Sequence, residues 1–445
     1  MQDKAPLVPK AKQGTDTCDP REWEWVEASI WTERMLTTLG NGVKGGRWFS
    51  LIDKVYAEKT LLAAWQRVAK NRGAAGVDNV SVNRFNGRAS EYLKELSEEL
   101  RDGRFRPQPV RRVHIPKGGG KTRPLGIPTV KDRIVQTALK MVLEPIFENE
   151  FLPSSYGFRP GRGCKNALRE VDGLLKEGFT WVVDADLAGY FDSIPHERML
   201  SRVQEQVSDG RVLDLLRLFI ENDIVEGMQH WTPTRGTPQG AVISPLLANL
   251  YLHPLDQLVS DEYGARIVRY ADDFVILCRS QREAMGALEV VQQWVTENGL
   301  TLHPDKTHVC DCSQSEQGFD FLGYRFSNGK RWVRKKSMTA LRNKVRLKTP
   351  RSNGHSMMEI IEDLNPMLRG WFNYFKHADC RTFSPVDGFV RRRLRSIARK
   401  HLKKNGGTGR CLNDHKLWPN SYFAELGLFT MREAHHALVR QPRCG

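Results

Sequence analysis

Two carboxylates stand side by side at Asp272 and Asp273, flanked by the β-prone runs 266–270 and 274–277. Such a pattern reads as a tight hairpin with the aspartates at or near its tip. In a mostly apolar setting adjacent carboxylates repel, so one stays protonated or a strong cation lies between them. A solvated Asp-Asp turn meets the same pattern, and the pair alone does not decide. Asp184 and Asp186 end the apolar run Trp181-Val182-Val183. Alternation places both on one face of a strand, where they share a cation or one caps the next turn. Jointly, Asp186, Asp272 and Asp273 are what two divalent ions about 4 Å apart require for phosphoryl transfer. Mg²⁺ suits such oxygen ligands, because it keeps waters and admits substrate phosphates to its shell.

Cations that would face a phosphate lie elsewhere in the chain. Residues 110–117 and 121–127 read as two strands joined by Gly118-Gly119-Gly120, with Lys117, Lys121 and Arg123 near the tip. A guanidinium fork and ammonium point charges on a mobile hairpin could close over a triphosphate, and a solvated basic hairpin has the same composition. Lys306, in the loop after Gly299, could protonate a leaving pyrophosphate. The loop Gly236-Thr237-Pro238-Gln239-Gly240 runs into an apolar helix; its glycines allow close approach of a flat ligand and Gln239 offers donors and an acceptor. Residues 155–163 mix Tyr156, Phe158 and Arg159 with glycine, which suits a template strand. Residues 71–78 could meet a nucleic-acid backbone or be a plain turn between helices.

The elements that position these groups follow from periodicity. Trp23, Val26 and Ile30 predict a helix from residue 21 to 39, stopped by Gly40, and another helix is expected over residues 51–69. Ile134, Ala138, Val142 and Ile146, with Val135, Leu139 and Leu143 beside them, mark a core helix. An amphipathic helix is expected over 282–298, and residues 319–326 read as an aromatic strand or hairpin.

The formal charge of +16 is unevenly placed: residues 330–445 carry 26 Lys and Arg against 8 Asp and Glu, a net of +18, leaving −2 for the rest. A basic block with aromatics in it is the footprint of a polyanion binder, most often nucleic acid. Its densest run, from Arg391 to Lys404, fits a helix with Leu394, Ile397 and Ala398 or His401 inward and Arg391, Arg392, Arg393, Arg395, Arg399 and Lys400 around them. The eight cysteines include no C-x-x-C pair, which argues against a zinc module or disulfide framework and fits a reducing compartment. No signal core or run of 18 apolar residues is present, so secretion and membrane spanning are not expected.

Tyr270-Ala271-Asp272-Asp273 together with Gly236-Thr237-Pro238-Gln239-Gly240, the strand ending at Asp186, residues 155–160 and 299–306, and Leu364-Asn365-Pro366-Met367-Leu368-Arg369-Gly370-Trp371 resemble a group II intron-encoded reverse transcriptase/maturase from about residue 50 onward. The resemblance implies an α+β right-hand polymerase: an N-terminal extension at 1–45, fingers at 46–165, a palm at 166–330, and a mostly helical basic thumb/maturase region at 331–445. It implies Asp186, Asp272, Asp273 and the Leu187 carbonyl as Mg²⁺ ligands and Lys306 as a catalytic group. Lys117, Arg123 and Arg111 would bind the triphosphate, Gln239 and Gly240 would lie at the incoming nucleotide, and Phe191 would crowd a 2′-hydroxyl so that dNTPs are preferred. Arg159, Arg369 and the 391–400 cations would contact RNA.

The implied partners are group II intron RNA, as template and splicing substrate, a DNA primer, a DNA target and dNTPs, in a bacterial cytoplasm near the nucleoid. No Cys-paired nuclease module follows the thumb segment within the sequence, so second-strand nicking is not expected and priming would come from elsewhere. A splicing cofactor with a vestigial polymerase site and a domesticated or defence reverse transcriptase are the rival readings. The sequence leaves the oligomeric state open.

Overall fold

The computed structural model describes residues 23–43, 46–118, 120–262, 265–314, 317–352, 354–402 and 412–440. Residues 1–22 and 44–45 of the extension expected at 1–45, Gly119 and the pair Lys403-Lys404 therefore lie outside the described residues, as does the side chain of Lys121. The chain divides into two compact units: residues 1–174 with 185–308, and residues 175–184 with 309–445.

In the first unit the helix expected from residue 21 begins only at Glu33 and runs to Asn41, because the Thr32 hydroxyl accepts from the Met35 N–H and fixes the start there. Trp23 to Ile30 form turns instead, although Ile30 and Trp31 are buried and the Trp31 indole donates to the Met141 carbonyl at 3.1 Å. The single helix expected over 51–69 is two, Ile52–Tyr56 and Glu58–Asn71, separated by extended backbone at Ala57. Asp209 ties this region down by accepting from the Leu51 and Ile52 amides and from Arg211 and Val212 at the next helix start.

Strands β1 (Val110–Gly118) and β2 (Lys121–Ile127) form the expected antiparallel hairpin. With β4 (Ile224–Glu226) and β5 (Gln229–Trp231) they build a sheet of order β2-β1-β4-β5. The core helix is longer than its apolar repeat, Val130–Glu148, since Thr129 caps it, accepting from the Asp132 N–H. Ile134, Val135, Ala138, Leu139, Val142 and Leu143 are fully buried, so the helix serves as an internal pillar. Strand β3 (Trp181–Asp186) crosses the division, its Ala185-Asp186 end belonging to the first unit. Strands β6 (Arg266–Tyr270) and β7 (Asp273–Cys278) form the second expected hairpin, and helix Gln281–Glu297 follows.

The second unit contains β8 (His308–Asp311, from Val309), then β9 (Phe319–Phe321), β10 (Tyr324–Ser327) and β11 (Lys330–Val333) in a meander. Phe319 and Phe326 stack at 5.0 Å and Tyr324 packs on Phe375 at 5.1 Å, which fastens the meander to helix Met357–Phe375. That helix opens with a capping box, Ser356 and Glu359 each satisfying the other's backbone N–H. Helix Phe383–His401 packs beside Met431–Arg440, where Asp387 accepts from the Met431 and Arg432 amides. Among the described residues no helix is long and apolar enough to cross a membrane. Helices and several small sheets together make the α+β class expected of a polymerase of this kind.

Candidate active site

The hairpin of β6 and β7 closes with Tyr270 opposite Asp273, leaving Ala271 and Asp272 as its two-residue turn. Ala271 has φ +61°, a left-handed conformation that a residue with a Cβ adopts at a cost. A second backbone lies against this turn: a Cβ on Gly157 would fall 2.3 Å from the Ala271 nitrogen, so only glycine fits there. Asp272 thus leaves a turn packed from below.

Asp186 is brought to the same place by the loop after helix Gln281–Glu297. Its carbonyl accepts from the His303 N–H at 2.7 Å, Leu187 bridges Leu302, and Ala188 donates to Thr301 at 2.8 Å. This pairing lays residues 301–306 along the strand end, and the Lys306 ammonium contacts the Asp186 carboxylate. Burial pushes the Asp272 carboxyl up, the neighbouring Asp186 pushes it further, and Arg123 and Lys117 pull the other way. Asp272 therefore lies within the field of one like charge, Asp186, and of two cations of the β1–β2 hairpin.

The donor set bears on the expected metal. Among the described residues no group of three His, Cys, Asp or Glu side chains is already gathered around a metal position. Asp186 and Asp272 nevertheless fit a cation, because Asp186 raises the cost of charge on Asp272 and Lys306 already places a positive group against Asp186. Hard carboxylate oxygens of this kind suit Mg²⁺.

On the hairpin of β1 and β2, Arg123 lies opposite Ile115. Cross-strand partners share a face, so Arg123 joins the face of Arg111, Val113 and Ile115; Lys117 sits at the register irregularity between Pro116 and Gly118 and is exposed. Arg111 is half-buried and donates to the Ala75 carbonyl at 2.6 Å, which attaches the 71–78 loop to this hairpin. On the opposite face Arg112 lies over the Trp231 ring at 5.0 Å and lines a small pocket with Asp192, Pro238 and Gln239. Sequence reading passed over Arg112; its signal was alternation, which separates it from Arg111.

The loop 236–240 is locked to this pocket. The Gln239 side-chain amide donates to Asp192 at 2.9 Å, while the Gln239 main-chain carbonyl accepts from the Gly126 N–H at 2.6 Å. A Cβ on Gly240, which has φ +110°, would fall 2.3 Å from the Gly126 oxygen. Burial raises the Asp192 carboxyl, and Arg112 and Gln239 oppose that rise. Phe191, half-buried beside Tyr190 at 5.6 Å, accepts at its carbonyl from the Thr237 N–H at 2.7 Å and so lies next to the same loop.

Two expected RNA contacts are corrected. Arg159 is 7% exposed: its guanidinium grips the Glu148 carboxylate and donates to the Leu152 and Ser155 carbonyls, so it folds the 151–159 loop inward instead of facing a template. Arg395 is 3% exposed, donating to the Trp418 carbonyl and to Asn420, because its helix position falls between the buried Leu394 and Ile397. Arg393 donates to the Thr349 carbonyl and hydroxyl, and Arg399 to Asp414. Arg391 and Arg392 are half-buried, Arg392 over Phe389; Arg369 is exposed over Phe429 and Lys400 is exposed beside Ser352. His401 is exposed, leaving Leu394, Ile397 and Ala398 as the inward apolar set.

Residues 115–326 match the family model described as reverse transcriptase (RNA-dependent DNA polymerase), and residues 338–418 match the group II intron maturase-specific domain. Protein YkfC of Escherichia coli K12 is 35% identical over 295 residues, 58% of this chain and 77% of that protein. The chain belongs to the group II intron reverse transcriptase/maturase family. The group II intron-encoded protein LtrA of Lactococcus lactis subsp. cremoris is 38% identical over 197 residues, 44% of this chain and 33% of its own length. A 91 kDa protein in a cob intron of Schizosaccharomyces pombe is 34% identical over 200 residues, 45% of this chain and 24% of its own. The chain thus spans a third or less of the latter two relatives. Within the family assignment, Asp186, Asp272, Lys117, Arg123 and Gln239 all fall inside the RNA-dependent DNA polymerase domain, and Arg369, Arg391 and Lys400 inside the maturase domain.

Proposed function

We propose that the chain extends a DNA primer with dNTPs on an RNA template, and that it binds its own group II intron RNA to promote splicing and retrohoming into a DNA target. The observation that carries the catalytic half is the contact of Lys306 with Asp186 beside Asp272, whose charge Asp186 disfavours and Arg123 and Lys117 favour. Asp186, Asp272 and Asp273, with the Leu187 carbonyl, would hold Mg²⁺, which when bound supplies an acidified primer hydroxyl and charge neutralisation at the triphosphate. Lys117, Arg123 and Arg111 bind triphosphate oxygens, and Lys306 gives a proton to the departing pyrophosphate. Gln239, held by Asp192, and the bare backbone at Gly240 receive the nucleotide, while Phe191 excludes the 2′-hydroxyl. Residues 46–165 act as fingers, 166–330 as palm and 331–445 as thumb and maturase region, with 1–45 an extension that meets template or intron RNA. The reaction takes place in a bacterial cytoplasm, against the nucleoid during mobility.

The test is Mg²⁺-dependent extension of a DNA primer on an RNA template, comparing the wild type with Asp272→Ala/Asp273→Ala. Extension should fall by at least about 10²-fold, the scale for losing a charge-stabilising group in a preorganised site. Intron RNA binding should survive, since the maturase cations are untouched. Absence of extension by the wild type refutes the polymerase reading; loss of RNA binding in the variant refutes the separation of the two roles.

A further inference from the structure

Beneath the aspartate hairpin lies a charged pair that takes no part in the chemistry above. Arg269 and Asp256 are both fully buried, at 0% exposure, and meet as a two-bonded fork: Nε to Oδ1 at 2.7 Å and Nη2 to Oδ2 at 2.5 Å. The remaining guanidinium nitrogen, Nη1, donates to Asn249 Oδ1 at 2.9 Å and to the Ala271 carbonyl at 3.0 Å. Asn249 in turn donates to the Gly157 carbonyl at 2.7 Å. The Arg269 main chain is used as well, donating to Ser154 at 3.0 Å and accepting from Tyr156 at 2.8 Å. One residue therefore joins three segments: helix Ser244–Glu262, residues 154–157, and the turn that presents Asp272.

A buried ion pair is a weak source of stability, because desolvating both charges offsets most of their attraction. What this pair supplies instead is direction. Ala271 occupies a left-handed conformation without being glycine or asparagine, and its carbonyl is held by the same guanidinium whose other edge is fixed by Asp256. The carboxylate of the next residue, Asp272, inherits that orientation.

We propose that Arg269 is a positioning residue for the metal-binding carboxylates: the Asp256-anchored fork fixes the Ala271 carbonyl, and with Asn249 and Gly157 sets where Asp272 and Asp273 leave the turn. The proposal rests on the polymerase reading of the site. It makes Arg269 and Asp256 essential for geometry without contact to nucleotide or primer, and it separates their role from fold stability.

The experiment replaces the pair by apolar side chains, Arg269→Met/Asp256→Leu, an exchange that often leaves stability unchanged or higher while removing every guanidinium hydrogen bond. Urea unfolding establishes that the variant is folded; single-nucleotide extension gives kcat and KM for dNTP; Mn²⁺ binding is followed by loss of the free-ion EPR signal. Asp272→Asn in the wild-type background identifies the Mn²⁺ bound at this site. The expected result is a folded variant whose kcat is down about 10²-fold with KM within about 3-fold, as for misplaced reacting groups. Its Mn²⁺ affinity should fall about 10-fold or more, as when the partners that orient a metal ligand are removed. A folded variant with wild-type kcat and Mn²⁺ affinity overturns the proposal.

If the double variant does not fold, Asn249→Ser, which leaves the ion pair intact, is judged on the same two quantities. Lower kcat and Mn²⁺ affinity support positioning, and unchanged values overturn it. Should Asp272→Asn leave Mn²⁺ binding by the wild type unaltered, the metal reading of the site fails and the positioning role falls with it. Failure of the double or Asn249 variant alone removes only the positioning role.

Discussion

His253 should make the first unit acid-sensitive in a way that can be calculated. It lies in helix Ser244–Glu262, is 7% exposed, packs edge-on against Phe151 at 5.6 Å, and has a buried Nδ1 without a hydrogen-bond partner. Burial pulls its imidazole down to about 4 from an ordinary 6.5; Asp256 opposes this, while Arg269, Arg159 and Arg202 reinforce it. A histidine with a depressed folded-state value favours the fold in its neutral form. The stability it contributes is fully present above the unfolded value and is lost as pH falls toward the folded one.

A separation from 6.5 to about 4 corresponds to about 3 kcal/mol over the whole window, of which about 2 kcal/mol is lost between pH 7 and pH 5. Urea unfolding of the wild type and His253→Leu at the two pH values isolates this contribution, because the other titrating groups are common to both proteins. The wild type should lose about 2 kcal/mol more than the variant on acidification. Equal losses in the two proteins would refute the assignment of a buried neutral imidazole, and a larger loss in the variant would reverse its sign.

Gly157→Ala should place a methyl 2.3 Å from the Ala271 nitrogen, costing about 1–3 kcal/mol of stability and reducing primer extension more than about 10-fold; wild-type melting and activity would show that the two backbones are not held together. Phe191→Val should raise the use of rNTP relative to dNTP by about 10-fold or more, read as the ratio of kcat/KM values, and an unchanged ratio removes Phe191 from the sugar-facing role. In the second unit, Arg395→Met should destabilise by about 3 kcal/mol or less and leave the salt dependence of intron RNA binding unaltered. Lys335→Ala/Lys336→Ala should do the reverse, lowering the slope of log affinity against log salt by about 1 for each phosphate that is no longer neutralised.

The parts of the fold legible in the sequence are those in which one period dominates. The repeat from Ile134 to Ile146 announced helix Val130–Glu148, and the runs around Asp272 announced the hairpin of β6 and β7. The start of the first helix was not legible, because Trp23, Val26 and Ile30 have helical spacing while the side-chain cap sits at Thr32. Asp186 and Asp272 were legible as partners through their residue type and the apolar strands that precede them. The support beneath them was not, since an arginine in a short strand reads as solvated charge. One signal was present: alternation places Arg269 on the face of buried Ile267, so its charge required a buried acceptor, which Asp256 supplies.

The same physics limits what net charge says about RNA. The +18 of residues 330–445 suggested a cationic surface centred on 391–400, yet a guanidinium whose protons go to carbonyls and carboxylates inside the unit displaces few counterions. Arg393, Arg395 and Arg399 have such partners, on Thr349, Trp418 and Asp414. Helix Lys335–Lys348 differs: Leu341 and Val345 face the interior, and Lys335, Lys336, Lys344 and Arg346 are exposed around them. Counterion release scales with the number of phosphates neutralised. Exposed cations of this unit therefore include those of helix Lys335–Lys348, with Arg369 and Lys400, whereas part of the densest run of arginines works as internal hydrogen-bond struts between helices.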